Sequence, residues 1–228
     1  MLSKHQPHAS LMQTPASPPA ALLHDTNSLT APTGEELASQ AAAGARGRAI
    51  GALFLALFGA AWLSQALMRA QWWNRWTQVL LLAGTLLLVA VAFAIVRRTA
   101  GPARQVQPAP DRKRVNRLFV LVNVLQWAAV IGAVNVLAYW HRTDLLVVTI
   151  AFIVGVHMFP LAQLFRYAPH HLTGALLVGW AGLCLVLFAE PLRDVLGCAG
   201  TGLILWSSAA RALFSASQQV RLATRRNG

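Results

Sequence analysis

The chain has 228 residues, 56% of them hydrophobic and only 11% charged, and carries a formal net charge of +12. That balance excludes an ordinary water-soluble domain, in which about a quarter of residues are charged. It does not indicate nucleic-acid binding either, because the cations flank apolar runs and no aromatic platform or recognised binding motif accompanies them.

Residues 1–47 differ from everything after them. Met1–Pro32 is rich in Pro, Ala, Ser, His and Gln, with Pro7, Pro15, Pro18, Pro19 and Pro32 interrupting any periodicity. It lacks the apolar segment and cleavage site of a signal peptide, so a disordered cytoplasmic segment is expected, with Met12 as a second candidate initiator. Thr33, three residues before Glu36, forms a capping-box pattern. A helix starting near Gly34 can run through Ala-rich sequence into the first apolar run.

From 48 to 215 the sequence predicts an all-α polytopic membrane protein, a bundle of six transmembrane helices with short outer loops. Crossing roughly 30 Å of hydrocarbon takes about 20 helical residues. The runs are 49–68, 77–96, 118–140, 145–165, 172–189 and 195–214. The fifth is the shortest, a deficit that flanking side chains or slight bilayer thinning absorbs. Between the second and third, 97–117 reads as a basic cytoplasmic linker broken by Pro102, Pro108 and Pro110. Residues 216–228 form a basic cytoplasmic tail. The other connections are short and make neighbouring helices antiparallel.

With six crossings, both termini share a side with the second and fourth loops. Fifteen of the nineteen Lys and Arg fall there, against Arg69, Arg75, Arg142 and Arg193 opposite. The positive-inside rule therefore places both termini in the cytoplasm of a bacterial inner membrane. Trp72, Trp73, Trp76 and Trp140 fit an aromatic belt on the outer side. Arg112, Lys113, Arg114 and Arg117 precede the third span, where a basic cluster sets topology and attracts anionic lipid headgroups at about 1 kcal/mol per charge. Ala52, Ala56 and Ala60, Ala129 and Ala133, and Ala175 and Gly179 are small-residue seams expected to pack helices closely. Cys184 and Cys198 lie inside apolar spans, with no CxxC and no disulfide framework, and are expected to be buried thiols.

The most distinctive segment is Gly155-Val-His-Met-Phe-Pro-Leu-Ala-Gln-Leu-Phe165. Pro160 removes the hydrogen-bond partner of the Val156 carbonyl, and His157, three residues earlier, is placed to repair that break directly or through water. A polar group so deep in a span is expensive, which makes a proton or substrate role the competing reading. His157-x-x-Pro-Leu-Ala-x-Leu-Phe165, followed by Tyr167 and Leu172-Thr-Gly-Ala, resembles a pattern in uncharacterised small bacterial inner-membrane proteins. The resemblance covers the fourth and fifth spans and implies class and location only.

At 1.5 Å rise per residue, Gln126 and His157 lie roughly 12 and 14 Å from the cytoplasmic ends of consecutive spans. They are expected to face each other, with Asn123 on the same stripe as Gln126 and Ser207 at similar depth. Gln65, Asn135 and Thr149 suggest a second polar level nearer the outer surface. The candidate intramembrane site is therefore His157, Gln126, Asn123, Pro160 and Ser207.

His157 and His170, thirteen apart, resemble the paired histidines of six-span haem reductases, but no second helix supplies a matching pair. His141 with Asp144 is too sparse for zinc. No metal or cofactor is expected. The acidic residues lie outside the spans or at their edges, and neither a Gly-x-Ser-x-Gly elbow nor a His-Glu-x-x-His motif occurs, so no catalysis is expected. Glu190, Arg193 and Asp194 read as a solvated loop. Two functions fit: a non-catalytic membrane subunit or accessory factor, alone, self-associated or with a membrane partner; or a small-solute or proton-linked transporter using the polar level around His157.

Overall fold

The computed structural model describes residues 34–101 and 112–226, with side chains for all of these but Arg112 and 223–226. The expectations for Met1–Pro32, for the Thr33 side of the capping box and for most of the 97–117 linker lie outside these residues. The described chain is all-α: α1 (Gly34–Arg69), α2 (Arg75–Arg98), α3 (Arg112–Tyr139), α4 (Leu146–Leu164, preceded by a 3-10 turn, Thr143–Leu145), α5 (Pro169–Leu187) and α6 (Leu192–Arg226). The first five are long and apolar enough to cross a membrane. In α6, Ser207, Ser208 and Arg211 interrupt the apolar run.

The hairpin turns have specific chemistry. Asn74 caps α2, its side chain accepting from the N–H groups of Trp76 and Thr77, while Thr77 Oγ1 accepts from the Asn74 N–H. That reciprocal capping box satisfies N–H groups at the start of α2 that have no partner within the helix. Helices α1, α3 and α4 end alike, with Gln71, His141 and Arg166 in the left-handed region at φ 59, 55 and 48°. The following N–H reaches back in each case: Trp72 to Leu67, Arg142 to Leu137, Tyr167 to Ala162, at 2.8–3.0 Å. These are Schellman closures built without glycine. Pro169 stands in the first turn of α5, where its fixed φ suits a helix start.

Helix α6 is the centre of the bundle, packing on α1, α2, α4 and α5. Its antiparallel pairing with α1 is the most extensive, running from the Gly44–Gln219 level to the Arg69–Asp194 pair. Twenty-five residues of α1 at 1.5 Å each make that contact about 37 Å long. Small residues make it close: Ala45, Ala49, Ala52 and Ala56 are buried against Ala209, Ala212 and Ala216. A Cβ on Gly202 would come within 2.9 Å of the Gly59 carbonyl, so the backbones nearly touch there. Trp206 lies across both Gly59 and Gly84 and so ties α6 to α1 and α2.

Helices α4 and α5 cross closely at Gly155 and Gly174, where a Cβ on Gly174 would meet the Gly155 carbonyl at 2.8 Å. The expected small-residue seams are partly corrected. Ala52 and Ala56 are buried as packing residues, but Ala175 and Gly179 are exposed, and the buried face of α5 is Thr173, Gly174, Leu177, Ala181 and Cys184. Ala129 is exposed and Ala133 half-buried, because α3 packs mainly on α4 and presents the rest of its surface outward.

Candidate functional site

The predicted polar level is distributed, and its members take different partners. His157 is buried, and its imidazole is directed at the Val122 backbone carbonyl of α3. Gln126, half-buried, stands one helical turn further along α3 and is not hydrogen-bonded to His157. The imidazole is thus directed toward α3. Pro160 is exposed, and α4 continues helically through it to Leu164. Asn123 donates to the Phe119 carbonyl of its own helix at 2.8 Å, and Asn135 does the same to Ile131. Ser207 lines a cavity between α5 and α6. In the second expected level, Gln65 and Asn135 are exposed and Thr149 is half-buried.

Interhelical polar contacts lie mostly elsewhere. The indole N–H of Trp206 donates to the Ala56 carbonyl of α1 at 3.0 Å, and that of Trp180 to the Leu196 carbonyl of α6 at 3.0 Å. The Thr173 and Ser208 hydroxyls bond each other across α5 and α6 at 2.8 Å. Tyr167, in the α4–α5 turn, has its hydroxyl 3.5 Å from that of Ser215, its ring 5.2 Å from the Arg48 guanidinium, and His170 against its edge. A usable signal was present: a tryptophan amid an apolar span must find an acceptor for its N–H.

The end of the bundle that carries the α1–α2, α3–α4 and α5–α6 turns holds a charge network. Arg193 is 9% exposed and donates to the Asp144 carbonyl at 2.8 Å and its carboxylate at 3.1 Å. Arg69 pairs with Asp194 at 2.6 Å, joining α1 to α6. Arg142 also meets Asp144, at 3.1 Å, and its hydrogen bond holds that carboxyl below its ordinary value against a smaller opposing effect of burial. Asp144 sits in the turn ahead of the expected 145–165 span. The expectation of a merely solvated Glu190–Asp194 loop is thereby corrected: two of its charges reach across to other helices and are shielded by them.

Toward the opposite end lies the cavity, about 240 Å³, between the first turns of α5 and the middle of α6. Tyr167, His170, Thr173, Ser207, Ser208 and Arg211 supply its polar lining, and Leu172, Leu176 and Leu203 part of its apolar lining. Cys184 and Cys198 are buried and free. Among the described residues, no three His, Cys, Asp or Glu side chains converge to hold a metal ion. No known protein family, curated protein or solved structure matches the chain.

Proposed function

We propose that this is a multi-pass protein of the bacterial inner (plasma) membrane, crossing six times with both termini cytoplasmic, and that it acts without catalysis as a membrane subunit or accessory factor. The orientation follows from the cation asymmetry and from Trp72, Trp76 and Trp140, each about two-thirds exposed at the turn end of the bundle. Lys113, Arg114 and Arg117, exposed at the start of α3, meet anionic lipid headgroups together with Arg112.

The observation that carries the subunit reading is the use made of buried polar groups. His157 is directed at a carbonyl of the neighbouring helix, Trp180 and Trp206 donate to theirs, and Thr173 and Ser208 bond each other. Such bonds average under about 1 kcal/mol each and set helix register. The least buried helices, α2 and α3, turn broad apolar faces outward, to lipid, a membrane partner or a second copy.

The transporter reading draws on one observation: α3 is held mainly by α4, and His157 lies at that seam. Proton-driven solute uptake into proteoliposomes decides between them. The subunit reading predicts no uptake above protein-free vesicles, and no difference for His157→Ala. Uptake that requires His157 would establish transport instead.

A further inference from the structure

We propose that the α5–α6 cavity is a binding site for one anionic phospholipid, its phosphate held at the cytoplasmic interface by Arg211 and Ser207 and its acyl chain running along Leu203 and Leu176. This goes beyond the subunit reading and needs only that the bundle sits in a bilayer.

Four observations converge. The cavity of about 240 Å³ is a formed groove with Arg211 on its lining, and Arg211 has no ion-pair partner among the described residues. The Ser207 hydroxyl, one turn before Arg211 on the same face of α6, has no hydrogen-bond partner among them either and is free to donate. The surrounding electrostatics select for an anion: no Asp or Glu occurs on α6 after Asp194, or between Asp144 and Glu190, whereas Arg48 and Arg166 approach the same end. The lining is also amphipathic. Leu172, Leu176 and Leu203 line the groove and are 48%, 49% and 55% exposed, so it opens sideways where acyl chains would lie.

A free phosphate would satisfy Arg211 and Ser207 but would leave the leucines without a partner. A lipid without a phosphate would cover the leucines but leave the guanidinium unpaired beside hydrocarbon, and a zwitterionic headgroup would bring its own ammonium to an end already crowded with Arg48, Arg166 and Arg211. An amphiphile with a phosphate head satisfies both ends, and a basic pocket between helices at the cytoplasmic face is a recurrent way of holding such a headgroup. The Thr173–Ser208 bond and the Tyr167 contacts to α1, α5 and α6 fix the walls without using Arg211 or Ser207. The groove is therefore held open by residues other than those that would hold the ligand.

The site is distinct from the basic start of α3, where Lys113, Arg114 and Arg117 are exposed. The experiment uses the full chain in phosphatidylcholine nanodiscs, titrated with phosphatidylglycerol and read by native mass spectrometry for retained lipid. Wild type should retain one phosphatidylglycerol in preference to phosphatidylcholine. Arg211→Gln should weaken that retention about fivefold, the loss of one cation–phosphate contact. Leu203→Trp, which fills the groove and leaves the charge, should also abolish it. Neutralising Lys113, Arg114 and Arg117 together should leave the single retained lipid in place. Equal retention by wild type and both cavity variants, or displacement of the lipid by millimolar inorganic phosphate, would overturn the proposal.

Discussion

Arg193 shows what a single side chain can do at the water-facing rim of a membrane bundle. Its guanidinium is largely withdrawn from solvent and spans from α6 to the turn before α4, reaching both a carbonyl and a carboxylate of Asp144. A charge-assisted hydrogen bond of this kind contributes about 2 kcal/mol. Arg193→Met should therefore lower the thermal midpoint in detergent by several degrees, followed by intrinsic fluorescence. Asp144 adds a sign to the pH dependence. Arg142 holds its carboxyl below the ordinary value, so its contribution is complete above the normal carboxylate range and is lost as the pH falls through the lowered one. The gap between wild type and Arg193→Met should narrow at acidic pH and stay constant between neutral and mildly alkaline conditions. A gap that widens on acidification would show that the carboxylate is not the partner that matters.

At the scale of helices, packing is decided by where backbones can touch. Gly174 sits at the α4–α5 crossing, where a methyl group would meet the Gly155 carbonyl, whereas Gly179 has nothing within 4 Å of the same addition. Gly174→Ala should therefore destabilise by about 1–3 kcal/mol, because backbone cannot step aside as a side chain can. Gly179→Ala should be neutral or stabilise by up to about 1 kcal/mol, as a glycine leaves an exposed helix position. Denaturation of the two variants side by side checks the contrast, and equal effects would refute this crossing. These two glycines also mark the limit of what the residues alone reveal. The helices themselves were legible, since only a 20-residue apolar stretch with all its hydrogen bonds internal suits hydrocarbon. Which face of α5 packs was not, because a helix apolar all round carries no amphipathic stripe, and Ala175 and Gly179 look as suitable as Gly174 and Ala181. The same holds for His157. Depth along the span brought it to α3 near Gln126, but every turn of a neighbouring helix offers a carbonyl, and it turns toward that of Val122. The turns closed by Gln71, His141 and Arg166 gave no glycine to find. The Asn74–Thr77 box, by contrast, has a spacing that the residues alone display.

For the whole molecule, the long antiparallel pair of α1 and α6 organises everything else. At about 54 and 52 Å by helical rise, both exceed the roughly 30 Å of hydrocarbon. In the proposed orientation their paired ends continue past the bilayer on the side where the cations gather, while the tryptophan-bearing turns and the Arg69–Asp194 and Arg193–Asp144 links close the other side. The account depends on this sidedness, and one measurement tests it directly. Single cysteines are placed at Trp73 and His141 in the turns and at Ala223 near the end of α6, with the buried Cys184 and Cys198 as an unreactive background, and spheroplasts are treated with a membrane-impermeant maleimide. Labelling at 73 and 141 in intact spheroplasts, with 223 labelled only after lysis, is the predicted result. Labelling of 223 from outside, or of 73 and 141 on opposite faces, would contradict it.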